Sequence, residues 1–230
     1  MKNKKWNHVM VLIVIVTVIG FGVFAYLGMF REFDASAYVN AVLAQRMEGN
    51  VQLITEMTKD MTKEQANEEY ERLITDTVEQ VFCTSVAMED EQKQQCAEVT
   101  KKVFASMKYN IGEAKKKGKD EYQVTVTFQP VDLIDKMKAL LDEEIKLASE
   151  KVEKGEAYRG TEEESLAQIN GEIALKFPQL LETAYQSMSY QDEQTIVFTV
   201  KKGESGLYAM NGAQISEFVT KIMGLNVNQD

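Results

Sequence analysis

Histidine is almost missing from this sequence. The single copy is His8, so residues 9–230 contain none. That removes His-based acid–base catalysis, the usual Ser-His and Cys-His nucleophile pairs and nearly all zinc sites. Cysteine is scarce too: Cys83 and Cys96 are the only two, and neither follows an apolar run as the lipidated cysteine of a lipoprotein must. With two prolines and no Ser/Pro/Gly-rich run, neither a stalk nor a disordered tail is indicated. No P-loop, G-x-G-x-x-G, D-x-D-x-D calcium loop, S-x-x-K or G-x-S-x-G occurs, and Gly203-Glu204-Ser205-Gly206 reads as a turn. No cofactor is implied. Positive charge is in deficit: beyond Lys2, Lys4 and Lys5, residues 31–230 carry 23 Lys and Arg against 36 Asp and Glu, a formal charge of −13. Such a surface repels nucleic acid, so no nucleic-acid partner is expected.

What is present begins with a run of 22 uncharged residues, Val9 to Phe30. At 1.5 Å per residue it reaches roughly 33 Å, enough to cross a bilayer core of about 30 Å. Lys2, Lys4 and Lys5 precede it, which puts residues 1–8 in the cytoplasm, a transmembrane signal-anchor at 9–30 and residues 31–230 outside. Trp6, Tyr26 and Phe30 suit the two lipid–water interfaces. The alternative is secretion after cleavage near Ala37, since Ala35-Ser36-Ala37 is an A-x-A match. The same residues also read as the first turn of a helix.

The outer part alternates helical and strand periods. Asp34 can cap a helix through Tyr38, Val39, Val42, Leu43 and Met47, stopped at Gly49-Asn50, with a short helical turn over 51–57. Thr62-Lys63-Glu64-Gln65 is a capping box opening a stripe from Ala66 to Phe82. A second stripe, Cys96 to Met107, follows the acidic start Glu89-Asp90-Glu91. Tyr109 and Ile111 then begin a strand, 115–120 is read as its turn, and Tyr122, Val124, Val126 and Phe128 alternate on the return, ended by Pro130. Helical spacing resumes from Leu133 to Val152. Another capping box, Thr161 to Glu164, opens a stripe from Leu166 to Met188, where Pro178 should kink or split the helix. Ile196, Phe198 and Val200 alternate in a strand, 207–210 returns, and a last helix stops at Gly224.

Ser106-Met107-Lys108-Tyr109 resembles Ser187-Met188-Ser189-Tyr190, each between a helix and a hairpin. The order suggests a duplicated helix–hairpin–helix unit, with halves at 34–130 and 131–224. The expected fold class is α+β: a mainly helical extracytoplasmic domain whose two hairpins form one antiparallel sheet with helices on one face.

Four groups of residues could carry function. Cys83 and Cys96 could form a disulfide closing a loop of about 14 residues, stabilising by roughly 3 kcal/mol. On a helical wheel Cys83 faces away from its own stripe, so the bridge requires that helix to end or bend near Phe82; two independent thiols are the alternative. Lys115, Lys116, Lys117 and Lys119 form the one dense basic patch, either a contact for lipid headgroups or an acidic partner, or a solvated hairpin tip. Glu143-Glu144 and Glu162 to Glu164 could supply an acid and a base, or sit on polar faces and in a cap. Tyr38, Tyr70, Phe82, Phe104, Tyr109, Tyr122 and Phe128 could line a pocket or form plain core.

Phe33 to Leu43, then Met107-Lys108-Tyr109-Asn110-Ile111-Gly112-Glu113-Ala114 and the Tyr122 to Pro130 strand, resemble a family of uncharacterised extracytoplasmic proteins of Gram-positive gut bacteria, over roughly residues 33–130. Many of these are lipid-anchored through a cysteine, and this chain departs from them by keeping an apolar run. The resemblance implies an extracytoplasmic fold and carries no site residue. Together these readings favour a membrane-anchored, non-enzymatic module binding a protein or small ligand. A carboxylate-dependent hydrolase of envelope sugars or peptides, which needs two carboxylates facing each other in a concave pocket, and a purely structural cell-surface module are the rivals.

Overall fold

The computed structural model describes residues 33–58, 61–84, 86–155, 160–204 and 206–225. The expected cytoplasmic stretch and anchor, residues 1–30, lie outside the described residues. Among the described residues no helix is long and apolar enough to cross a membrane.

Local signals place most elements. Helix α1 (Ala35–Glu48) starts where the Asp34 carboxylate accepts the Ala37 N–H at 2.9 Å and ends at Gly49, whose φ of 65° is the left-handed cap expected there. A short α2 (Val51–Met57) leads to α3 (Lys63–Thr77), whose capping box is made in full: the Gln65 N–H donates to Thr62 Oγ1 and the Thr62 N–H to Gln65 Oε1. The chain continues through a π-helical turn, Val78–Phe82, into α4 (Asp90–Ala105). Strands β1 (Lys108–Gly118) and β2 (Glu121–Gln129) form a hairpin, followed by α5 (Leu133–Glu153), α6 (Glu162–Ser187), β3 (Gln194–Lys202), β4 (Tyr208–Met210) and α7 (Gly212–Ile222).

The expected single antiparallel sheet is present, in the order β1-β2-β3-β4. Its central pair joins strands far apart in the chain, with Val126 opposite Ile196 and Val124 opposite Phe198. Helix–strand–strand–helix therefore occurs twice, as α4-β1-β2-α5 and α6-β3-β4-α7. Where β4 stops short, the Gln214 carboxamide continues the ladder: it accepts the Thr199 N–H at 2.9 Å and donates to the Val197 carbonyl at 2.8 Å. A side-chain amide thus stands in for a peptide unit on the open edge of β3.

Two expectations change, and one helix is more enclosed than its spacing shows. The turn read at 115–120 is only Lys119 and Asp120, because β1 pairs with β2 through Lys115 and Lys116 as far as Gly118, after a bulge between Ile111 and Ala114. Pro178 does not split its helix: α6 runs unbroken past it, with Pro178 buried beside Phe177 and Leu181. Helix α1 has more than one apolar stripe. Ala41, Ala44 and Gln45 are buried along with Tyr38, Val39, Val42 and Leu43, since α1 packs on β1 and β2 and also against α2, α3 and α4. Such a helix must be small or apolar on nearly every side. Its buried Gln45 is satisfied, the amide donating to the Ala66 carbonyl at 2.9 Å, whereas the Nε of its neighbour Arg46 is buried with no hydrogen-bond partner among the described residues.

One face of the sheet is core and the other is not. Tyr122, Val124, Val126, Phe128, Ile196, Phe198 and Val200 are buried, and Phe218 of α7 meets Phe128 and Phe198 edge-on. The opposite face carries Gln123, Thr125, Thr127, Thr195, Val197 and Thr199, half-buried or exposed.

Candidate functional site

The π-helical turn decides where Cys83 points. The Cys83 N–H donates to the Val78 carbonyl at 3.1 Å, five residues back, which inserts an extra residue into the turn and rotates the residues after it. The bend near Phe82 that a bridge requires is therefore present. Both thiols are unbridged, Cys83 half-buried and Cys96 buried with its Sγ 3.8 Å from Met88 Sδ. Burial pushes the Cys96 thiol up to about 12, and charge on Cys83 adds to the rise, so the two sulfurs feel each other. Burial also raises Cys83. Thiols held this far toward the neutral form are poor nucleophiles, which argues for a structural role. Chain produced in an oxidising compartment is expected to keep both thiol hydrogens by mass, as two independent thiols. Loss of the mass of two hydrogens relative to reduced chain would show a bridge.

The basic patch gains members that sequence spacing could not show. Lys115, Lys116, Lys117 and Lys119 are exposed at the β1–β2 tip, and the register of β2 with β3 places Glu121 opposite Lys201. Lys201 and Lys202, at the end of β3, therefore join the same end of the sheet, and the Lys202 N–H donates to the Asp120 carbonyl at 2.9 Å. Beneath them lies an aromatic cluster. Phe33 stacks on Tyr208 with centroids 3.8 Å apart and meets Tyr122 at 5.6 Å. The ammonium groups of Lys116 and Lys202 stand 5.8 Å from the Tyr122 and Tyr208 ring centroids, within cation–π range. Ala35, Ser36 and Ala37, the alternative cleavage motif, form the first turn of α1, as their other reading has it, and Ala35 is fully buried.

The aromatics expected as pocket or core are core. Tyr38, Tyr70, Phe82, Phe104, Tyr122 and Phe128 are buried, and the half-buried Tyr109 donates its hydroxyl to Glu48 Oε1 at 2.9 Å. Among the described residues no buried side chain is an Asp or Glu, and no group of three or more His, Cys, Asp or Glu is arranged to hold a metal. Glu162 to Glu164 form the first turn of α6, where the Thr161 backbone N–H and hydroxyl hold the Glu164 carboxyl below its usual range.

The helices α5 and α6 carry a feature the periodicity concealed. Their stripes suggest one continuous buried face, yet between Asp142 and Glu172 the only buried described side chain is Ala148. These halves pack against each other and form an arm on which Ile145, Leu147, Val152 and Leu166 are exposed, Leu166 by 54%; Leu175, 67% exposed, lies beyond the arm on the half of α6 packed on the core. A depression of about 90 Å³ between them is lined by Leu147, Ala148, Ile169 and Ile173, with Glu144, Lys151, Glu172 and Lys176 around it. Glu144 and Lys176 are paired at 2.6 Å. Two helices that face only each other bury one stripe each, and a third element is needed to cover the rest.

Among solved structures, the fold is similar to that of YcdA from Bacillus subtilis, described as a "putative lipoprotein", with a TM-score of 0.52 and 14% identity. The match covers 83% of this chain and 56% of the Bacillus protein, so the chain spans little more than half of that structure. At this identity the likeness is one of fold. No protein-family model and no curated protein sequence matches the chain.

Proposed function

We propose that this chain is a membrane-anchored, extracytoplasmic interaction module that engages a protein partner through the α5–α6 arm and performs no covalent chemistry. The observation that carries this reading is the arm, a two-helix projection with four exposed apolar side chains and little buried under them. A depression of about 90 Å³ is small beside the roughly 300–1,000 Å³ of small-molecule sites. A partner helix laid across α5 and α6 would cover Leu147 and Leu166 in the manner of helix-in-groove recognition. The extracytoplasmic setting is supported by the uncharged run at 9–30 and agrees with the fold shared with the Bacillus protein. Retention of the anchor is favoured by packing. Cleavage after Ala37 would remove the Asp34 cap, the stacked ring of Phe33 and the buried Ala35 together.

The test is site-specific photo-crosslinking in intact cells, with the probe at Leu147 or Leu166 and a control at Thr125 on the open face of the sheet. A discrete adduct from the arm positions and none from Thr125 is expected. Adducts from Thr125 alone would move the partner to the sheet, and none from any position would overturn the reading.

A further inference from the structure

We infer that the lysine-bearing end of the sheet is a contact surface for the anionic headgroups of the membrane in which the chain is anchored. The inference rests on the anchored reading above and adds the orientation of the domain. Three observations meet at this one end. The first is where the chain enters. Phe33 packs against both Tyr122 and Tyr208, three residues after the uncharged run ends at Phe30. Three residues span at most about 11 Å, so if Val9 to Phe30 crosses a bilayer, this end of the sheet lies close to the headgroups. The separation is comparable to the Debye length of about 8 Å at physiological salt.

The second observation is charge. Six lysines, Lys115, Lys116, Lys117, Lys119, Lys201 and Lys202, collect at this end against Asp34, Asp120, Glu121 and Glu204. Glu121 is occupied by Lys201 at 2.9 Å. The end is net positive on an outer part whose total is −13, so the rest of the domain is driven away from an anionic surface while this end is drawn to it. Lysines on the edge strand β1 also discourage sheet-to-sheet pairing. That role does not account for Lys119 in the turn or for Lys201 and Lys202 on the interior strand β3. The third observation is the aromatic layer. The half-buried Tyr208, with Lys202 above its ring, is the tyrosine-plus-lysine combination suited to a lipid–water interface, and the buried Tyr122 beneath Lys116 backs it.

The proposal is tested on the full chain reconstituted into vesicles of phosphatidylcholine alone or with about 30 mol% phosphatidylglycerol. Lysines are acetylated briefly and read by mass spectrometry. Lys115, Lys116, Lys117, Lys119 and Lys202 should be shielded at least about threefold more in the anionic vesicles, given roughly fivefold per lysine for a cation at such a surface. Lys138 and Lys146 of α5 should not change. The shielding should vanish at about 0.5 M salt, where the Debye length is only a few ångströms. It should also fall at Lys202 in the Lys115→Gln, Lys116→Gln, Lys117→Gln, Lys119→Gln variant, whose changed side chains are all exposed. Chain that partitions into both vesicles with tip lysines indifferent to lipid charge would overturn the contact and keep the anchor. Chain that partitions only into anionic vesicles would keep the contact and overturn the anchor, and chain that partitions into neither would overturn both. Shielding by soluble polyglutamate but not by anionic vesicles would assign the end to an acidic polypeptide and overturn the proposal.

Discussion

Phe218→Ala is expected to lower the stability of the domain by about 3–5 kcal/mol, the range for truncating a buried phenylalanine. Phe218 is fully buried. Its ring meets Phe128, Phe198 and Tyr109 edge-on at centroid distances of 5.3, 5.8 and 6.1 Å, so one side chain joins α7 to β1, β2 and β3. Alanine forfeits the transfer energy of the ring, leaves a cavity under a twisted sheet that cannot close it, and removes three aromatic pairs. Thermal unfolding followed by near-ultraviolet circular dichroism should show a midpoint lower by roughly 10 °C for a domain of this size. Leu175→Ala is the control. Its side chain is 67% exposed on α6 and should move stability by less than about 0.5 kcal/mol. A loss under about 1 kcal/mol for Phe218→Ala would mean that α7 is not seated on the sheet in solution.

Gly224→Ala should cost about 2–4 kcal/mol, from two causes that a second substitution separates. Gly224 has φ of 68°, a left-handed conformation that disfavours a side chain. A β-carbon there would also run into the Val131 carbonyl. That carbonyl cannot retreat freely, because the Val131 N–H donates to the Ile222 carbonyl at 3.0 Å and ties the end of α7 to the link between β2 and α5. Asparagine tolerates the left-handed region better than alanine. If φ alone mattered, Gly224→Asn would recover most of the loss; the close approach requires Asn to do nearly as badly. Gly155, with φ of 67° and nothing within 4 Å of its would-be β-carbon, should accept Asn almost without cost.

Both effects arise from contacts between residues far apart in the chain, which also marks the boundary of what the sequence by itself determined. Features that depend on neighbours three or four residues away were legible: the Thr62–Gln65 and Thr161–Glu164 capping boxes, the Asp34 cap, the stops at Gly49 and Gly224, and the period-two alternation of β2 and β3. The cause is local, since a cap satisfies N–H groups within its own turn and a pleat alternates residue by residue. The run of lysines was legible as a charged patch but misassigned to a turn, because backbone pairing with β2 holds those residues extended.

The rest was decided by tertiary structure. Pairing of β2 with β3 across two intervening helices brought Lys201 and Lys202 beside Lys119 and set Tyr208 under Phe33. The π-helical turn put Cys83 one residue out of helical phase with the stripe before it. Enclosure on several sides made α1 the centre of the core. The apolar stripes of α5 and α6 are equally regular along their whole length, yet only their inner halves are covered. Periodicity records which side chains share a face. Whether another element arrives to bury that face depends on where the chain returns, and no window of neighbouring residues contains that information.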